Sequence, residues 1–151
     1  MQKTILYAED NENDVVLVRM AFKKVAPHLQ LETVEDGVQA VEFLKGTGQF
    51  ENRTLPSLVL LDLKMPRSNG FEVVQWVRSN PALRFLPVVM FTASLEKSDQ
   101  ERCYQLGANS FLVKPSDIEA LIGLAGVLHK YWLEANQCPH PDSAAFISKA
   151  V

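Results

Sequence analysis

The chain has 151 residues, enough for one domain of roughly 100–200 residues whose core can hold it folded without disulfides or a structural metal. At 47% hydrophobic and 22% charged it is neither a disordered nor a fibrous chain, and a net charge of −3 provides no basic footprint for nucleic acid. Cys103 and Cys138 form no CxxC and read as two unrelated thiols, and no apolar run is long enough for a signal-peptide core or a bilayer span, so the expectation is a soluble cytoplasmic protein with no membrane partner.

The first apolar run, residues 4–8, reads as a strand and is followed at once by Glu9 and Asp10. A helical stretch follows, with Val15, Val16, Met20, Phe22 and Val25 as its apolar positions and Pro27 as its stop. Residues 31–34 form the second strand, and Val38, Val41, Phe43 and Leu44 mark the second helix, stopped by Gly46. Residues 46–56 are a polar loop, longer than the usual connection of about 2–6 residues. Strand three is 58–61, and helix three carries Phe71, Val73, Val74, Trp76 and Val77 and stops before Pro81. Strand four is 88–91. The helix over 97–106 is mostly polar, offers Cys103, Tyr104 and Leu106 to a core, and has Gly107 as its C-terminal stop, so it should be loosely held. Strand five is 111–113, and one long amphipathic helix runs from Ile118 through Trp132. Five strand–helix units in a row, several with continuously apolar strands, predict an α/β doubly wound fold on a parallel sheet.

Ligands of such sheets bind beyond the carboxyl ends of the strands. Those ends carry Glu9 and Asp10, then Asp62, then Thr92 with Ser94 two residues on, then Lys114 before Pro115. Each residue alone has an ordinary explanation as a turn, cap or solvated charge. Together they place three carboxylates, two hydroxyls and one ammonium on one edge. Clustered carboxylates need a cation to be tolerated, and oxygen ligands suit a hard ion such as Mg²⁺. An ammonium and a hydroxyl nearby are what a phosphoryl group needs.

Glu9-Asp10, Asp62, Thr92-Ala93 and Lys114-Pro115, in this order on these strand ends, resemble the CheY-like receiver domain of two-component response regulators. The segment from Asp62 to Gly70, with Pro66 four residues after the Asp, is similar to that family's phosphorylation loop. The resemblance covers about residues 3–133 and implies a receiver domain over 1–134 with a flavodoxin-like, CheY-like sheet in strand order 2-1-3-4-5 and helices on both faces. It implies that Asp62 accepts a phosphoryl group from a histidine kinase. Asp10 and Asp62 would hold Mg²⁺ directly, Glu9 through water, and the Lys64 backbone carbonyl would be a further ligand. Thr92 and Lys114 would bind phosphoryl oxygens, Thr92 and Phe111 would form the conformational switch, and Lys64 and Ser94 would tune the acyl-phosphate lifetime. The Lys114–Pro115 bond would be cis. Such a protein is a signalling switch, not an enzyme acting on an external substrate.

The long 46–56 loop, the run Asn11-Glu12-Asn13-Asp14 and the C-terminal extension 135–151 are similar to the stand-alone regulators of bacterial and cyanobacterial phytochrome kinases. That resemblance implies a bacteriophytochrome-type sensor kinase as partner and a homodimer. The extension, with Ala144, Ala145, Phe146 and Ile147, reads as a dimerisation arm or a disordered tail. A station in a multistep phosphorelay and a phosphorylation-independent scaffold are the alternatives. His28, His129 and His140 share no motif spacing and receive no ligand role. A haloacid-dehalogenase-type phosphatase needs a second Asp where Lys64 stands. A flavodoxin-type FMN site needs a Gly-rich phosphate loop where Glu9 and Asp10 would repel phosphate.

Overall fold

Five strands, β1 (Thr4–Ala8), β2 (Gln30–Val34), β3 (Leu58–Leu61), β4 (Val88–Thr92) and β5 (Ser110–Val113), form one parallel sheet in the order β2-β1-β3-β4-β5. The computed structural model describes residues 3–139. The helices are α1 (Glu12–Val25), α2 (Gly37–Lys45), α3 (Gly70–Ser79), α4 (Lys97–Leu106) and α5 (Ile118–Leu128). Strands β1, β3 and β4 are buried along their whole length, which is why they read as continuous apolar runs. Alternate residues serve two cores. Leu6, Ala8, Val59, Leu61, Val88 and Met90 pack under α2, α3 and α4, whereas Ile5, Tyr7, Leu58, Leu60, Val89 and Phe91 pack under α1 and α5.

Caps fix where the helices begin. The side chains of Asn11, Asp36, Asn69 and Asp117 accept from the backbone of α1, α2, α3 and α5, and Asn69 with Glu72 completes a capping box. Helix α4 has no side-chain cap bond at Glu96 and buries only Cys103. Burial raises the Cys103 thiol to about 11, whereas Cys138 is exposed. At about pH 8 a thiol reagent should label Cys138 quickly and Cys103 only after denaturation. Counting labelled thiols with and without urea checks this.

Several local expectations are corrected. In α1, Phe22 is buried and Val15 and Val25 pack against the core as expected, but Val16 and Met20 are exposed and Val18 and Ala21 are buried in their stead. Each pair has helical spacing within itself, and only packing against the sheet selects between them. Tyr104 is 48% exposed, and its hydroxyl accepts a hydrogen bond from the Phe111 backbone N–H at 3.1 Å. The last helix does not continue as an α-helix through Trp132: α5 ends at Leu128 and a π-helical segment follows over His129–Ala135. There Lys3 Nζ donates to the Leu133 carbonyl, and Trp132 packs against the α1/α5 core. The 46–56 loop folds back on α2: Arg53 donates to the Phe43 and Leu44 carbonyls at 2.9 and 2.7 Å, satisfying orphan acceptors of the helix end. The described residues contain no cis peptide bond, so the Lys114–Pro115 bond is trans. The apolar residues at 144–147 lie outside the described residues. Among the described residues no helix is long and apolar enough to cross a membrane.

Candidate functional site

Three strand ends converge through parallel register. Glu9 follows β1, Asp62 follows β3, and Lys114 follows β5, with its backbone N–H donating to the Thr92 carbonyl at 2.8 Å. Glu9 is 3% exposed and Asp62 7%, while Asp10 is exposed. One carboxylate oxygen from each of Glu9, Asp10 and Asp62 lies within 4.8 Å of the others. The donor set fits a hard divalent cation: it is all oxygen, one edge is open to solvent, and its charge is compensated here only in part.

The compensation comes from Lys114. Its Nζ lies 2.6 Å from Glu9 Oε2, 2.9 Å from Asp14 Oδ2 and 3.3 Å from Asp62 Oδ2. Burial works against its charge, but the Glu9 and Asp14 carboxylates outweigh that and raise its pKa. Burial also lifts the Glu9 carboxyl to about 7, the Asp62 carboxylate adds to the rise, and Lys114 opposes it. Asp62 Oδ1 accepts from the Leu63 N–H at 2.8 Å, leaving Oδ2 toward Lys114. One carboxylate oxygen is thus held by backbone while the other meets the ammonium.

The sequence places Asp14 only within the run Asn11-Glu12-Asn13-Asp14 and gives it no role at the site. It belongs to the first turn of α1, where the Asn11 cap accepts from its backbone N–H at 3.1 Å and so fixes the turn that brings it to Lys114. The cap pattern Asn11–Asp14 was the available signal. Tyr7 was also missed. It is fully buried on β1, two residues before Glu9 on the same face, and its hydroxyl has no hydrogen-bond partner among the described residues. Burial and the Glu9, Asp14 and Asp62 charges raise its pKa.

Thr92 closes β4 at 2% exposure, and its Oγ1 accepts from the Ser94 N–H at 3.3 Å. Ser94 Oγ donates to Asp99 Oδ2 at 2.7 Å and accepts from the Glu96 N–H at 3.2 Å, so Ser94 organises the entry to α4. Phe111 pairs with Met90 across β4–β5 and is half-buried against the α3/α4 core. Thr92 lies two residues beyond Met90 and therefore on the same sheet face as Phe111. Lys64 is exposed beside the site. His28 and His129 lie at the opposite end of the sheet, around a cavity of about 1130 Å³ that also includes Lys3 and Leu133.

Residues 5–125 match the response regulator receiver domain family. The chain is 34% identical over 137 residues to the response regulator Rcp1 of Synechocystis, covering 91% of this chain and 93% of that protein. It is 35% identical over 137 residues to a probable methanogenesis regulatory protein, FilR2, of Methanothrix harundinacea, covering 91% of this chain and 88% of that protein. Among solved structures, the phosphorylated cyanobacterial phytochrome response regulator RcpA superposes with a TM-score of 0.86 at 30% identity, over 92% of this chain and 99% of that one. The Mn²⁺-bound form of Rcp1 superposes with a TM-score of 0.82 at 34% identity, over 91% and 99%. A relative with a divalent metal and an acidic trio on this chain's own strand ends agree on a divalent cation site. The fold, the strand order and the sequence match together make this chain a member of the response regulator receiver domain family.

Proposed function

We propose that the chain is a phosphoacceptor switch that takes a phosphoryl group on Asp62 from the phosphohistidine of a sensor histidine kinase, with Mg²⁺ at Glu9, Asp10, Asp62 and the Lys64 carbonyl. The observation that carries this reading is the Asp62 carboxylate, buried within 4.8 Å reach of two further carboxylates and 3.3 Å from the Lys114 ammonium. That charge pattern suits a nucleophile whose carboxylate must become an acyl phosphate carrying roughly −2 charge while staying in place.

In the step, an Asp62 carboxylate oxygen attacks phosphorus, the P–N bond to the imidazole breaks, and an acyl phosphate forms. A divalent cation held by Glu9, Asp10, Asp62 and the Lys64 carbonyl would supply positive charge against the phosphoryl oxygens. Lys114 supplies the second positive charge by moving its contact from Glu9 and Asp14 to a phosphoryl oxygen. The Thr92 hydroxyl gives up its bond with the Ser94 N–H and donates to another. Phe111, on the same face, packs into the space Thr92 leaves. Helix α4, with one buried apolar side chain and Ser94–Asp99 at its start, is the element free to follow. Lys64 and Ser94 flank the acceptor and tune how long the acyl phosphate lasts.

The resemblance to Rcp1 and RcpA supports a phytochrome-type sensor as the kinase. On this reading the protein acts in the cytoplasm as a homodimer and turns over no external substrate. The test is intact mass after incubation with acetyl phosphate, with and without Mg²⁺, for wild type and Asp62→Asn. The expected result is a Mg²⁺-dependent gain of one phosphoryl group in wild type alone. A gain that survives Asp62→Asn would move the acceptor elsewhere. No gain from acetyl phosphate or from a phytochrome-type histidine kinase would overturn the reading.

A further inference from the structure

The loop between β3 and α3 carries the one non-glycine residue with positive φ among the described residues, Arg67 at 65°. The Ser68 N–H donates to the Pro66 carbonyl at 2.7 Å, so Arg67 is the centre of a three-residue γ-turn of the rare, strained kind. A side chain persists in that region only where its surroundings hold it.

The surroundings are the loop between β2 and α2. Arg67 Nε and Nη2 both donate to Asp36 Oδ2, at 2.9 and 2.8 Å. Asp36 is 5% exposed, and its other oxygen caps α2 by accepting from the Gln39 N–H at 2.8 Å. Next to it, the Gly37 N–H donates to the Ser68 carbonyl at 3.0 Å, and a Cβ on Gly37 would stand 2.2 Å from that oxygen. The two loops are therefore locked at two successive positions, Arg67 and Ser68. Pro66 and Asp36 also line the same cleft as Glu9 and Asp10.

We propose that Arg67 and Asp36 are positioning residues: their ion pair clamps the strained turn and so fixes the loop that presents the Asp62 carboxylate and the Lys64 carbonyl to the divalent cation. The clamp acts on the cation through the loop and touches neither the cation nor the phosphoryl group. It rests on the reading of Asp62 and Lys64 as ligands. Its consequence is a split in the magnesium dependence. With the turn released, the ligands must be ordered by the cation itself, so affinity falls while the chemistry at saturation is nearly kept.

The test is calorimetric titration of Mg²⁺ into wild type, Arg67→Gln, Asp36→Asn and the double variant, with phosphorylation rates measured across the same Mg²⁺ range. The expected result is an Mg²⁺ Kd about tenfold weaker in each single variant, the magnitude seen for groups that orient metal ligands. The double variant should be no worse than the singles, because both remove one interaction. Arg67→Lys keeps the charge with a single donor, folds where a neutral side chain fails to, and should fall between wild type and Arg67→Gln. An Mg²⁺ Kd within about twofold of wild type in folded variants overturns the clamp even if their melting temperature drops, because the pair would then only fasten two loops. A wild type that binds Mg²⁺ yet never gains a phosphoryl group defeats the acceptor reading instead and leaves the affinity comparison intact.

Discussion

Substituting Lys114 by Ala is expected to slow phosphoryl transfer to Asp62 by at least about 100-fold and to destabilise the metal-free protein by about 3 kcal/mol. The two effects share a cause. Lys114 is the only ammonium in contact with Glu9, Asp14 and Asp62 among the described residues, and Glu9 is almost fully buried. Removing one partner of a buried ion pair leaves charge without compensation, which costs more than the pair itself contributes. Phosphorylation rates followed by intact mass and urea denaturation in chelator would measure both effects. Adding Mg²⁺ should recover part of the stability but little of the rate, since only an ammonium at this position can meet a phosphoryl oxygen from the β5 side. Asp62→Asn should shift stability the other way, by about 1 kcal/mol, because it removes a charge that raises the Glu9 pKa. If Lys114→Ala and Asp62→Asn moved stability in the same direction, repulsion among the carboxylates would not be the controlling term.

The second large effect lies far from this edge. Arg78→Ala is expected to cost about 3 kcal/mol of stability, read as a lower urea midpoint. The Arg78 guanidinium has no carboxylate within ion-pair distance among the described residues. It donates instead to the Gly107 carbonyl at 2.8 Å, to the Arg84 and Leu86 carbonyls at 2.9 and 2.8 Å, and to Asn109 Oδ1 at 2.8 Å. Burial lowers its pKa. These bonds join the end of α3, the segment entering β4 and the α4–β5 turn. Asn109 Oδ1 also accepts from the Val88 N–H at 2.7 Å, so the network fixes where β4 begins. Loss of the side chain strands several carbonyls at once. Arg78→Lys should recover less than half of the loss, because one ammonium cannot reproduce a planar fork. Gly107 contributes to the same joint: its φ is +106°, and an added Cβ would stand 2.9 Å from Arg78 Cγ.

The distribution of these determinants explains what could be read in advance. Strands β1, β3 and β4 were legible because burial on both faces demands unbroken apolar runs, and Glu9, Asp62 and Thr92 were legible because they break those runs at the carboxyl end. Residues that follow a strand in a parallel sheet must share one edge, so a one-dimensional pattern already gathers them. The phase of α1 was legible only in part: Phe22 is buried and Val15 and Val25 pack against the core, but Val16 and Met20, at helical spacing too, face solvent while Val18 and Ala21 are buried. The end of α5 was not legible, because tertiary contacts turn the last residues into a π-helical segment. The trans bond at Lys114–Pro115 departs from the family expectation.

What the sequence by itself determined is the set of groups on the sheet edge: their types, their order and the strands that carry them. That follows because strand ends and helix caps are local properties of chain chemistry. Only the tertiary structure decided which of those groups touch. It brought Asp14 to Lys114 across 100 residues, left the Tyr7 hydroxyl buried beneath Glu9, and set Arg67 against Asp36 from a loop 31 residues away. Such contacts depend on how α1 docks and how two loops lock, and no local pattern encodes a distance between segments that meet only when the core closes.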